Sequence, residues 1–266
     1  MEVFKLKNVK CAYGTGSVVL HIENLCIEQG QMVFVVGPSG IGKSTILETL
    51  GLMNNTIRTV DLFEYNRIDM REAWRWSDDK LSDFRNKEYS FIFQSTNLMH
   101  NFTAYENVMI TALLQGKTEM EARKQTKEVL KKMKLPYEVN RPVAEYSGGQ
   151  QQRMAFARAI LPNFNVLFGD EPTGNLDACT AKEVMEILLE EVHRRGATAI
   201  VVSHDMQLAV DYADMIVMIR KEKGENGSCY GKIDEKSICI KTDGKWNYES
   251  EILNKNDLKT KLLNLL

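Results

Sequence analysis

Residues 32–50 read MVFVVGPSGIGKSTILETL, and this stretch decides the fold. "MVFVV" is a short unbroken apolar run, as in a buried strand. Glycine-rich residues follow, leading into a helix expected from about Lys43 to Met53. Gly37-Pro38-Ser39-Gly40-Ile41-Gly42-Lys43-Ser44 matches G-x-x-x-x-G-K-[ST], in the strand-to-helix context that the P-loop pattern requires. Its backbone N–H groups would form a nest around phosphates. Lys43 would reach the β and γ oxygens, and Ser44 would ligate Mg²⁺. A bare glycine-rich turn is the alternative, and the complete motif in this context argues against it.

Outward from that loop, "VFKLKNV" and "SVVLHIENLCI" on its N-terminal side read as antiparallel strands. On the other side, "TIRTVDLFEY" suggests strands and "DMREAWRWSDDKLSDF" a polar helix. "YSFIFQ" reads as a strand, and helices are expected over 104–115, 118–134 and from Gly148 to Leu161. The order then runs strand "NVLFGD", helix near 178–195, strand "ATAIVVS", helix near 206–212 and strand "MIVMIR". Strands alternating with helices imply an α/β fold with a mostly parallel sheet. The helical stretch at about 95–162 interrupts the alternation and reads as a subdomain. From about 222 the sequence suggests an exposed hairpin, and "DLKTKLLNLL" suggests a tail that docks on its own domain, a dimer mate or a membrane subunit, self-docking being favoured.

A second anion-binding signal stands at "EYSGGQQQR". Ser147 followed by Gln150 is a capping box. Gly148 and Gly149 leave backbone N–H groups uncovered at the positive end of a helix dipole. "NVLFGDEP" would deliver Asp170 and Glu171 at the end of a buried strand, where open α/β sheets hold their ligands. Asp170 would hold a metal through water, and Glu171 would polarise an attacking water. His204 and Gln94 end the strands "AIVVSH" and "FIFQ" in the same manner; a structural polar residue is the alternative at each. Trp74 and Trp76 are two apart and share no helical face, so irregular packing suits them better than binding. The charged run "EARKQTKEVLKKMK" reads as a solvated helix face, and the 13 methionines as core filler.

Composition narrows the class. The 266 residues are 44% hydrophobic and 26% charged, which is ordinary for a globular protein and argues against disorder. A net charge of -2 gives no reason to expect nucleic acid. The opening residues lack a signal-peptide core, and no apolar run approaches the roughly 20 residues that span a bilayer. Five cysteines without CxxC spacing argue against disulfides and zinc, so a reduced, cytosolic setting is expected.

The P-loop, Gln94, "SGGQ", "LFGDEP" and His204 stand in one order, and this set resembles the ATP-binding subunit of ABC transporters over roughly residues 1–220. "DEPTGNLD" and "FRNKEYSFIFQSTNLMHNFTAYENV" look most like the branch of macrolide-export, lipoprotein-releasing and cell-division ATPases. The resemblance implies a P-loop core with an antiparallel β-subdomain and a helical subdomain, over 1–221, with 222–266 an extension of unknown role. It implies that Tyr13 stacks on adenine and that Gly37 to Thr45 hold the phosphates. Ser44, Gln94 and Asp170 would serve Mg²⁺. Glu171 would be the catalytic base, with Lys43, Gln94 and the switch residue His204 in the same machinery. Ser147, Gly148, Gly149 and Gln150 would face ATP held by another subunit, and Asp177 would communicate across that dimer. A homodimer or heterodimer on the cytoplasmic face of a membrane, driving transmembrane permease subunits, is thus expected. A cell-division-like ATPase that works an extracytoplasmic enzyme without transport is the alternative, followed by a soluble repair or translation ATPase. Tyr146 departs from the family's usual Leu, and the "PTSG" stretch after the P-loop helix is missing.

Overall fold

The computed structural model describes residues 1–135, 141–224 and 227–265. The chain divides into two compact units, one of residues 1–83 with 198–266 and the other of residues 84–197.

The first unit opens with β1 (Glu2–Cys11) and β2 (Leu20–Glu28), paired antiparallel. Their registers set Phe4 opposite Ile27 and Leu6 opposite Leu25. All four are buried, so period-2 alternation places one apolar face on the core. β3 (Met32–Val36) is buried at all five positions, as befits a strand covered on both faces. α1 (Lys43–Leu50) follows the glycine-rich loop. β4 (Ile57–Thr59) and β5 (Leu62–Tyr65) both pair antiparallel with β1, and β6 (Ile68–Asp69) pairs with β5. The polar helix expected next is shorter than its sequence suggested. Ala73–Arg75 forms a single 3₁₀ turn and α2 spans Asp78–Glu88. Trp76 belongs to that turn's end, with Lys80 Nζ over its ring at 4.2 Å.

The second unit holds β7 (Tyr89–Ile92), α3 (Ala104–Leu114), α4 (Glu119–Lys132), α5 (Gly148–Ile160), β8 (Val166–Asp170) and α6 (Ala178–Arg195). β7 and β8 are parallel. Thr103 with Glu106 and Thr118 with Glu121 are capping boxes that start α3 and α4. Pro136, which bounds the helix expected over 118–134, lies outside the described residues. α4 and α6 are stitched by Glu191, which takes Lys132 at 3.0 Å, Arg194 at 2.5 Å and Arg195 at 3.2 Å. Partial burial opposes its charge, yet hydrogen bonds from Arg194 and Lys132 hold its carboxyl at about 2.

The chain returns to the first unit as β9 (Thr198–Val202), α7 (Met206–Tyr212) and β10 (Met215–Met218). β10, β3 and β9 are parallel neighbours, the parallel core anticipated from the alternation. The segment beyond is more than an exposed hairpin. β11 (Arg220–Lys223) and β12 (Cys229–Ile233) do pair antiparallel, although residues 225–226 at their connection lie outside the described residues. β12 then pairs in parallel with β2, which puts the antiparallel sheet in the order β11-β12-β2-β1-β5-β6. β13 (Ile238–Thr242) pairs with β10, and β14 (Lys245–Tyr248) and β15 (Glu251–Leu253) extend that edge. Trp246 on β14 is fully buried. α8 (Lys255–Leu263) buries Leu258 and Leu262, and Lys259 Nζ donates to Gln207 Oε1 on α7 at 2.6 Å. The tail docks on its own unit.

Candidate functional site

In the first unit the loop from Gly37 to Thr45 follows β3. Gly40 at φ +73 and Gly42 at φ +107 occupy the left-handed region, where a side chain is strained. Gly37 is glycine for a different reason, since a Cβ there would lie 3.0 Å from Ile219 O and 3.1 Å from Ile41 Cγ2. Ser39, Gly40 and Ser44 form the exposed rim, while Ile41, Gly42 and Thr45 are buried beneath it. Lys43 Nζ folds over the loop and donates to Gly37 O and Pro38 O, each at 2.9 Å. Nothing stands within 4 Å of a Cβ at Gly40, so the rim is open above left-handed backbone. This is a cradle that fits phosphate oxygens.

Tyr13 lies beside this loop. Its hydroxyl donates to Glu48 Oε2 at 2.7 Å and lies 3.1 Å from Thr45 Oγ1. Burial, with Glu48 alongside, pushes the phenol up to about 12, so it stays a neutral donor. The hydroxyl is anchored on α1 while the residue as a whole stays 44% exposed. His204, exposed, stands two residues past β9. Its neighbour Asp205 caps α7 by accepting from Gln207 N at 2.8 Å and Leu208 N at 3.1 Å.

The second unit carries the carboxylates. β8 is buried until Asp170, which is half-buried at its end. Glu171 follows at φ +44, left-handed for a side chain that rarely accepts it, and directly before a proline. Such outliers gather at functional sites. Gln94 Nε2 donates to Glu171 Oε2 at 3.4 Å, so two of the expected site residues meet. Arg158 of α5 holds the chain after Gln94, donating to Thr96 O at 2.7 Å and Asn97 O at 2.6 Å.

The capping box at Ser147 is formed, with Gln150 N donating to Ser147 Oγ at 3.3 Å and Ser147 N to Gln150 Oε1 at 3.0 Å. Ser147 and Gly148 are exposed, and a Cβ on Gly148 would meet nothing within 4 Å. A Cβ on Gly149 would lie closer in, 3.7 Å from Leu176 Cδ2. Tyr146 points inward, buried, with the Arg141 guanidinium 4.1 Å from its ring centre. Asp177 caps α6, accepting from Thr180 N at 3.0 Å and Thr180 Oγ1 at 2.7 Å. Those bonds hold its carboxyl below the usual range.

With this geometry in place, residues 20–174 match the family described as ABC transporter. The chain belongs to the ABC transporter family. It is an ATP-binding cassette of the ATP-hydrolysing kind. The cassette is 36% identical over 223 residues to the macrolide export ATP-binding/permease protein MacB of Mannheimia succiniciproducens, covering 83% of this chain and 34% of that protein. It thus spans about a third of the length of such relatives. An uncharacterized ABC transporter ATP-binding protein of Methanocaldococcus jannaschii is 37% identical, and the match covers 96% of its length and 82% of the cassette. A dimeric post-hydrolysis ATP-binding cassette with bound ADP and Pi superposes with a TM-score of 0.70 at 32% identity, over 81% of this chain and 93% of that one. CbiO1 of Clostridium perfringens reaches a TM-score of 0.74 over 98% of the cassette and 91% of its own chain, at 21% identity a likeness of fold.

The cassette's phosphate loop also has a support that the sequence reading missed. A Cβ built on Gly231 of β12 would lie 2.2 Å from Ile41 O and 2.6 Å from Ile219 Cγ2. Gly231 N also donates to Val19 O at 2.8 Å, locking β12 in place. Glycine inside a strand marks close approach of another backbone, and that was the available signal. Gly231→Ala should therefore displace the loop at Ile41 and weaken ATP binding by about 10-fold or more, a contact-level change of at least ~1.4 kcal/mol. Fluorescent-ATP titration reads this directly, and an unchanged affinity would show that the loop does not depend on β12.

Proposed function

We propose that the cassette dimerises around two ATP molecules and passes the resulting motion to transmembrane partners, on the cytoplasmic face of a membrane. One observation carries the reading. The chain has a complete phosphate cradle at Gly37–Thr45, yet it also presents a capped, exposed helix start at Ser147 and Gly148, where a Cβ on Gly148 would meet nothing within 4 Å among the described residues. A second anion site of that kind suits the ATP of another subunit. The dimeric state of the cassette with ADP and Pi, and the joining of cassette to permease in the name of the macrolide exporter, support the same reading. No described helix is long and apolar enough to cross a membrane.

In this assignment Lys43 and the loop N–H groups bind the phosphates, with Tyr13 against adenine. Ser44, Gln94 and Asp170 offer the hard oxygen donors that suit Mg²⁺. Bound Mg²⁺ supplies neutralisation of phosphate charge. Glu171 orients and deprotonates water, Gln94 fixes its carboxylate, and His204 donates to the γ-phosphate. Asp177 sits at the dimer contact while capping its own helix. The test is affinity capture of the tagged cassette from detergent-solubilised membranes. Recovery of a stoichiometric transmembrane protein, released or tightened by ATP, is expected. Recovery from the soluble fraction alone, with no membrane partner, would overturn the transport role.

A further inference from the structure

The segment after Glu171 is held by a residue that the assigned machinery does not use. Gln152 of α5 is fully buried, and its Nε2 donates to the Pro172 carbonyl. Its Oε1 finds no hydrogen-bond partner among the described residues. As a core residue this is a poor choice, because a buried amide with half its valence unmet is worse than a methionine of similar volume. The amide is better explained by what its donor holds. Pro172 has no N–H of its own, and Glu171 before it adopts φ +44. Gly174 N closes the turn by donating to Glu171 O at 3.1 Å. The one side chain that fixes the Pro172 peptide among the described hydrogen bonds is Gln152.

We infer that Gln152 is a positioning residue for Glu171, and that it ties the catalytic turn to the helix start at Gly148. Gly148 and Gln152 are four residues apart on α5, one turn along the same face. A shift of the helix start is thereby transmitted to the carbonyl next to Glu171 by a rigid element and a single hydrogen bond. In the dimer proposed above, α5 faces the partner's nucleotide, so occupancy there would set the aim of this subunit's own base. The inference rests on the reading of Glu171 as that base.

The experiment compares Gln152→Met, Glu171→Gln and the double variant in the full chain, by steady-state ATPase, ATP titration and thermal melting. Gln152→Met keeps volume and removes the donor. It should lower kcat by about 10- to 100-fold, the size expected of a misaimed group, with KM and ATP affinity unchanged. Melting should stay level or rise, since the orphaned acceptor goes too. In the Glu171→Gln background the second change should cost nothing further. Turnover within twofold of wild type in Gln152→Met, beside an inactive Glu171→Gln, overturns the inference. So does a loss of kcat that tracks a lowered melting temperature or that multiplies in the double variant, because that is a packing effect. An active Glu171→Gln would instead remove the reading of Glu171 itself.

Discussion

Glu171→Gln should bind ATP at least as well as wild type, lose turnover by about 100-fold or more, and accumulate as an ATP-bound dimer. The physical case is local. The amide has the shape of the carboxylate, so the left-handed turn at φ +44 and the contact from Gln94 at 3.4 Å keep their partners. What would be lost, on the assignment proposed for Glu171, is the proton acceptor, and with it one negative charge beside the triphosphate. Removing that charge favours the closed, ATP-bound state, and removing the base stops the exit from it. Light scattering coupled to size exclusion, with and without ATP, reads the dimer, and phosphate release reads the turnover. Unchanged turnover would show that another group activates the water.

Gly148→Asp should separate the two proposed phosphate sites. A Cβ at Gly148 enters open space, and a carboxylate in the first turn of a helix favours the dipole, so the fold should hold and the melting temperature should be level or slightly raised. Yet the new charge occupies the very end where a γ-phosphate of another subunit is expected. Like charges in such a contact cost several kcal/mol. ATP binding by the monomer should be unaffected, whereas ATP-driven dimerisation should vanish and hydrolysis fall on the order of 100-fold. Sedimentation velocity with ATP, beside a titration of the monomer, tests both halves. Normal hydrolysis by this variant would refute the trans contact. The pair of variants is informative together, since one traps a dimer and the other prevents it.

Much of this was legible in the residues. The P-loop was readable because its spacing, its preceding apolar run and its following helix all agree. α5 and α6 could be bounded because their caps, Ser147 and Asp177, are side chains that start helices by themselves. The pairing of β4 and β5 with β1 was only half readable, since strands of three and four residues carry little periodicity. Gln152 looked like one more polar residue in "GGQQQR"; its burial and its bond to Pro172 exist only once α5 packs. Beyond about 222 the hairpin was readable, but its pairing into the two sheets was not, for the same reason. Its strands are short and mostly polar, and what recruits them is pairing with β2 and β10, far away in sequence.

That pairing bears on how the protein is made. The phosphate loop is translated well before its floor at Ile219 and Gly231. A nascent chain would expose the whole nucleotide motif well before β12 slots in beside β2. Late backing of this sort makes the loop a slow, high-contact-order part of folding. A product stalled or clipped ahead of residue 231 would keep every motif residue of the loop and lack its seat. Such fragments would compete poorly for ATP, leaving the nucleotide to chains in which β12 has paired.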